Sequence, residues 1–510
     1  MHSGDPVALR HGPLTVYLTM FQGEPDVPTF LRTTLPAHMP LVWLDSARPH
    51  VKTGRWSMIG YDPWLTYVAH GPRCELRTRA ATAHWHLHPL QGLRRLLRGY
   101  RIPTGTQAHA RAVGLMGCLS YELNRWIEPS VPSWNRRQHP AATAWPDMLW
   151  FGMRGALLVD HFQHRSWLLQ VVDPYGPPAR MRRQALEALE WARAHLVCLP
   201  SGDDASRPQP PIRRGACSSD RLVGPPPLVA TTSQAEFERM VNRALTRIRA
   251  GDIFQANVAQ QFTTTWRGDA LALYQALRVI NPSPFACFLR WRDWSVVSCS
   301  PERLVRVEGG TVDTRPIAGT RPRGATPHED VMNSLELLLS EKERAEHIML
   351  VDLARNDLGR VCRVGSVAVD ELMELEEYSH VIHIVSDVAG LLRPGLDAVE
   401  VIRAIFPGGT ITGCPKVRCM QILRQLEAVP RGLYTGSVGY LGFDGTMDLN
   451  IAIRTMVLAG EQVSFHVGAG IVADSDPQRE YHETLAKAHA LIAALGVGER
   501  EAVGGYVSPR

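Results

Sequence analysis

The sequence predicts an α+β fold, and three observations carry that prediction. Short β-rich pieces stand between turn residues, longer segments repeat apolar residues at helical spacing, and the two kinds follow one another in mixed order. No tandem repeat and no regular βα alternation is visible, which argues against a solenoid, a Rossmann sheet or a barrel.

In chain order, "PLVWLDSA", "GALLVDHF" and "SWLLQVVD" read as strands and "RMRRQALEALEWARAHL" as a helix, giving an N-terminal region over 1–199. Residues 200–230 are rich in proline, serine and charge with few apolar anchors, so they read as an irregular connection. In the region 231–496, Ser233 and Glu236 form a capping-box pattern, and Phe237, Val241, Leu245 and Ile248 recur at helical spacing until Gly251. The strand "IFQANVAQQFTTTW" comes next, then "LLLSEKERAEHIMLVDLARNDLG" as one helix, and residues 497–510 form a tail.

At 510 residues and 45% hydrophobic, the chain can bury a large core, as two or three domains or one unusually large fold. Lysine plus arginine exceed aspartate plus glutamate by only five, which gives little support for a nucleic-acid or membrane surface. Nine cysteines without a CxxC pair point to buried thiols in a reducing compartment. The N-terminal stretch lacks an apolar core followed by a cleavage site, and no run of 18 apolar residues occurs, so the expectation is a soluble, cytoplasmic protein.

Two glutamate pairs carry the first chemical signal. Glu343 and Glu346 are three apart on one helix, and Glu480 and Glu483 on another, "PQREYHETLAKAH". Converging, they would suit a hard cation such as magnesium; apart, they are ordinary solvated helix residues, and the spacing leaves both open. Lys487 comes four residues after Glu483, as an ion pair or as an ammonium beside the carboxylates. "HVGAGIVADSDP" is expected to put Gly468 and Gly470 in a turn whose backbone can approach a substrate carboxylate, and "FPGGTITGCPKVR" offers a second anion cradle before a helix. His383 alternates with Val381 and Val385 and so points inward from a strand, as a core residue or as an acid or base. "HETLAKAH" has Ala486 where a zinc protease needs histidine, and no GxSxG elbow occurs.

Nine ordered segments, "GDIFQANVAQQF", "SPERLVRV", "TRPIAGTRPRG", "EKERAEHIMLVDLARNDLGRV", "YSHVIHIVSDV", "FPGGTITGCPKVRCMQIL", "GLYTGSVGY", "IAIRT" and "GAGIVADSDPQREYHETLAKA", together resemble the chorismate-utilising enzymes. The resemblance runs from about residue 30 to about residue 495 and is nearest to component I of aminodeoxychorismate synthase and of anthranilate synthase. It implies one large α+β unit, with two antiparallel sheets forming a sandwich core flanked by helices.

By that resemblance Glu343, Glu346, Glu480 and Glu483 match the family's magnesium carboxylates, and Tyr434, Arg454, Lys487, Gly468 and Gly470 match its substrate contacts. His383 matches a histidine that assists ring chemistry, and Thr320 a threonine close to the substrate. Ala318 stands where some members carry a lysine that attacks the ring, and Gln255 where others carry a lysine that activates water. Neither residue can do so, which implies direct attack by ammonia. The ammonia would come from a separate glutaminase subunit. Ser46, Pro284 and Phe285 resemble a tryptophan pocket, although "LDSA" departs from the inhibitory "LLES". "FPGGTITG", Asn257 and "GLYTGSVGY" lean towards aminodeoxychorismate synthase, and Ala318 towards anthranilate synthase. A non-catalytic chorismate-binding scaffold is the remaining alternative, against which the retained glutamates, His383, Arg454 and Lys487 speak.

Overall fold

The computed structural model of the chain describes residues 6–49, 52–103, 108–134, 145–199, 227–324, 326–377 and 381–496. The tail 497–510 and all but the last four residues of the 200–230 connection lie outside them. The architecture is α+β, as the sequence predicts. Among the described residues, 23 strands are linked by antiparallel pairing into one network, with a separate two-stranded pair and 11 α-helices packed around it. The expected antiparallel sheets are thus joined by hydrogen bonding, through long strands such as Trp56–His70 and Met148–Asp160, which pair along most of their length.

Strands from before and after the connection alternate within this network. Leu41–Asp45 pairs with Phe285–Trp291, and Gly114–Leu119 with Ser437–Gly442. Leu41, Val42, Trp43, Phe288 and Leu289 are all buried at the first of these seams, so apolar burial joins the two stretches of sequence. No helix among the described residues is long and apolar enough to cross a membrane. The eight cysteines among them are free, and six are buried.

Local rules place the elements that matter for the site. The Ser233 capping box is present: its hydroxyl accepts from the Glu236 backbone N–H at 3.3 Å while Glu236 accepts from the Ser233 N–H at 2.8 Å. The helix it starts, Gln234–Arg249, ends before Gly251, whose φ of 74° suits glycine. The stretch around Glu343 departs from the expected single helix. It is two helices, Pro327–Leu339 and Glu341–Gly359, because Ser340 takes an extended ψ of 108° and turns its hydroxyl to cap the Glu343 N–H. That break puts Glu343 and Glu346 in the first turns of a fresh helix, where the backbone N–H groups favour negative charge.

A polar tie crosses the seam between the two stretches of sequence. Asp45, 4% exposed, accepts from Tyr274 Oη at 2.8 Å and from Arg278 Nε at 2.5 Å, both on helix Ala270–Ile280, and from Ser57 Oγ at 3.3 Å. Replacing Asp45 with alanine leaves the guanidinium without its buried partner. The expected cost is about 3 kcal/mol, at the low end for a broken buried pair because Arg278 retains some solvent contact. Urea denaturation of Asp45→Ala measures it, and a loss below about 1 kcal/mol would show that Arg278 simply swings into water.

Candidate active site

Two antiparallel strands, Gln255–Thr265 and Gln462–Ile471, form the floor, with Asn257 opposite Gly470 and Ala259 opposite Gly468. Gly468 and Gly470 therefore lie within a strand and not in the turn expected from their spacing. The reason for glycine is close approach. A Cβ on Gly468 would lie 2.4 Å from Asn257 Oδ1 and 2.8 Å from Tyr434 Oη, and one on Gly470 would lie 2.7 Å from Gln255 Nε2.

Helix Glu341–Gly359 and helix Pro477–Leu495 bring the four glutamates over this floor. Asp476 caps the second helix by accepting from the Arg479 N–H, as Ser340 caps the first. Glu346 accepts from Gln255 Nε2 at 2.8 Å, and burial, then the negative charges of Glu343 and Glu483, hold its carboxyl above the usual carboxylate range. Glu480 is raised too, by burial and then by Glu483 against a hydrogen bond with Ser475, and its Oε2 is buried without a hydrogen-bond partner. Glu343 pairs with Arg321 at 3.4 Å and Glu483 with Lys487 at 2.8 Å, while Lys487 also donates to the Gly468 carbonyl at 3.1 Å.

As they stand, no three His, Cys, Asp or Glu side chains among the described residues enclose an ion position. The donor set nevertheless fits a hard divalent cation. It is made of carboxylate oxygens only, they repel one another, and one of them is buried and unsatisfied.

The strand Ile317–Pro322 supplies one wall. It carries Ala318, 7% exposed, and bulges at Gly319, whose φ is 65°, so that Thr320 comes to lie opposite His383 on strand Val381–Leu391. The Thr320 side chain lies outside the described residues. Arg321 bridges Glu336 and Glu343 and Arg323 holds Asp330, so both arginines of "TRPRG" tie the strand to the helices above it.

His383 is 3% exposed, inward-facing as its alternation predicts. Its Nδ1 lies 3.3 Å from the Gly319 carbonyl, which can only accept, so Nδ1 carries the proton and Nε2 is left as the basic nitrogen. Burial, then the positive charge of Arg454, push its pKa down to about 4, so the ring is neutral at neutral pH. Arg454 adopts a left-handed φ of 50° and donates to Asn281 Oδ1 at 3.1 Å. Its guanidinium is part-buried and its positive charge acts on the His383 ring, an environment chemically suited to an anionic group.

Glu302, in "SPERLVRV", was not singled out by sequence reasoning, because its role depends on tertiary partners that no local pattern shows. It is 6% exposed and accepts from Thr410 Oγ1 at 2.7 Å. Burial raises its pKa to about 7, against the hydrogen bonds from Thr410 and the Ile317 backbone N–H and the field of Lys487, so it holds a proton for much of the neutral range. Ser46, Pro284 and Phe285 line a separate cavity of ≈ 200 Å³ together with Trp56, Arg303, Arg306 and Asp448. Ser46 Oγ donates to the Trp56 carbonyl at 2.7 Å.

Residues 43–493 match the family described as chorismate binding enzyme. The chain is 39% identical to anthranilate synthase component 1 of Synechocystis sp. over 89% of this chain and 90% of that one. It is 38% identical to aminodeoxychorismate synthase component 1 of Bacillus subtilis, over 90% and 92%. The crystal structure of anthranilate synthase component I from Streptococcus pneumoniae TIGR4 superposes with a TM-score of 0.69 at 30% identity, covering 87% of this chain and 93% of that one.

The raised pKa of Glu302 fixes the sign of a pH effect. The unfolded carboxyl ionises near its ordinary value of 4.5 and the folded one near 7, so the protonated group's stabilising share is complete below about 4.5 and is lost as pH rises towards 7. Glu302→Gln should therefore gain stability relative to the parent between pH 5 and pH 8, by about 3 kcal/mol for a displacement of that size. Denaturation midpoints of both proteins at the two pH values measure it, and a constant gap would place the Glu302 pKa in the ordinary range.

Proposed function

The chain belongs to the family of chorismate binding enzymes, and on that premise we propose that it is component I of an aminodeoxychorismate synthase. It would replace the ring hydroxyl of chorismate with ammonia, giving 4-amino-4-deoxychorismate for 4-aminobenzoate and folate synthesis in the cytoplasm. The ammonia would come from a separate glutamine amidotransferase subunit.

The observation that carries amination is Gln255. It sits at the cluster with its Nε2 on Glu346 and its Oε1 buried and without a partner. A glutamine cannot deprotonate water, whereas ammonia attacks as it is and its N–H groups suit a vacant carbonyl acceptor. Ala318 likewise offers no nucleophile for a covalent detour.

Each of the other residues takes its role from its environment. Arg454, Lys487 and the Tyr434 hydroxyl would bind the two carboxylates of chorismate, with Gly468 and Gly470 leaving room for the ring. Protonated Glu302 would donate its proton to the departing hydroxyl, which leaves as water when the C–O bond breaks. As the C–N bond forms, neutral His383 would take the surplus proton from nitrogen at Nε2. Glu343, Glu346, Glu480 and Glu483 would hold magnesium, which neutralises a substrate carboxylate and favours loss of the hydroxyl. The ≈ 200 Å³ cavity behind Ser46, Pro284 and Phe285 would take tryptophan, with a role in structure and not in feedback, since "LDSA" departs from the inhibitory "LLES".

Ala318 and the near-equal identity to the Synechocystis relative favour a second reading, anthranilate synthase component I, in which amination precedes loss of pyruvate. "FPGGTITG", Asn257 and "GLYTGSVGY" support the first.

Incubating the protein with chorismate, magnesium and ammonium at alkaline pH, with and without aminodeoxychorismate lyase, separates them. A non-fluorescent product that the lyase converts to 4-aminobenzoate is expected, with turnover abolished by a chelator; fluorescent anthranilate would establish the second reading. Intact-mass analysis during turnover is expected to show no covalent adduct, and a chorismate-derived mass increment would refute direct attack by ammonia.

A further inference from the structure

Arg431 lies where several segments of the site meet. Its side chain is 2% exposed, and each of the five N–H donors of its guanidinium meets an acceptor. Nε donates to Glu427 Oε2 at 2.9 Å, Nη1 to the Ile411 carbonyl at 2.9 Å and Thr435 Oγ1 at 3.2 Å, and Nη2 to the Asn257 carbonyl and Glu427 Oε1, both at 2.6 Å.

Those acceptors lie on separate stretches of chain. Ile411 is next to Thr410, the donor to Glu302; Asn257 lies two residues after Gln255 and opposite Gly470; Thr435 is next to Tyr434. Thr435 holds a left-handed φ of 60°, unusual for a β-branched residue, fixed by its N–H to the Ala452 carbonyl at 2.8 Å and by Arg431. The guanidinium carbon also lies 5.7 Å from the Tyr434 ring centre, while that ring stacks on His466 at 5.3 Å. An arginine needed only to fill space could be replaced by an apolar side chain, since a buried ion pair is weak support for stability. An arginine whose donors reach backbone carbonyls on converging segments sets their relative positions.

We propose that Arg431 is a positioning residue for chorismate, acting through Tyr434, whose hydroxyl it aims past Gly468 towards the substrate. The inference rests on the reading of Tyr434 as a substrate contact. Lysine at this position keeps the charge but has three donors on one nitrogen and no planar fork, so it cannot reproduce the five contacts.

The test is a double-mutant cycle on chorismate affinity, by calorimetry with magnesium and without ammonia, using the parent protein, Arg431→Lys, Tyr434→Phe and the double variant. Each single change is expected to weaken binding about tenfold and the double variant no more than either, because a displaced Tyr434 has no contact left to lose. Independent losses that multiply to about a hundredfold, or a single variant that binds as the parent does, would overturn the proposal. A general structural role would lower the folded fraction without coupling to Tyr434. Should Arg431→Lys fail to fold, Glu427→Gln loosens the same guanidinium and is read in the same cycle by the same criteria. With ammonia absent, the result does not depend on which amine product is formed.

Discussion

Like-charge crowding between the 341–359 and 477–495 helices is the constraint that the rest of the site answers. Glu346 and Glu480 lie largely out of water beside Glu343 and Glu483, so ionising those two is costly in both solvation and repulsion. The surrounding chain offsets part of that cost with Arg321 on Glu343, Gln255 on Glu346 and Lys487 on Glu483. It also fixes the geometry that creates it. Ser340 and Asp476 cap the two helices just ahead of their glutamates, and the paired strands beneath leave glycine at 468 and 470, where any side chain would collide.

Next to this negative cluster, two titratable groups are displaced in opposite directions. Burial keeps Glu302 protonated up to about pH 7, and burial with Arg454 keeps His383 neutral down to about pH 4. One group can give a proton and the other can take one in the same pH range, which is the arrangement an acid–base pair requires. Gln255, bonded to Glu346, is neither acid nor base, so it cannot activate water, which is why the proposed reaction is an amination and not a hydration.

Much of this was legible in the sequence, unevenly. The α+β class, the 233/236 capping box and the inward face of His383 come from periodicity and local hydrogen bonding alone. The two ExxE pairs were visible as pairs, but nothing local says that helices 137 residues apart converge, so that step came from resemblance. Gly468 and Gly470 misled because GxG marks turns more often than strands, and only the packed Asn257 and Tyr434 side chains at Gly468 and the Gln255 side chain at Gly470 explain glycine there. The helix break at Ser340 was hidden because "SEKE" serves equally as helix interior and as helix start. Glu302 and Arg431 acquire meaning only from tertiary partners. 4-Aminobenzoate and anthranilate carry nitrogen on different ring carbons, a difference in where ammonia meets the bound ring that overall similarity does not report. Identities of 38% and 39% to an aminodeoxychorismate and an anthranilate synthase therefore do not separate the two readings.

The most direct measurement of the cation site is a magnesium titration by calorimetry at a series of pH values upwards from the ordinary carboxylate range, each in two buffers of different ionisation enthalpy. Carboxyls held above their ordinary range must shed protons when a cation binds, so the heat should change with the buffer. Glu346→Gln combined with Glu480→Gln should remove both the binding and that difference. Magnesium binding of equal strength in the doubly substituted protein, or no proton release in the parent, would show that the four glutamates are a structural cluster and that the cation, if one is needed, binds elsewhere.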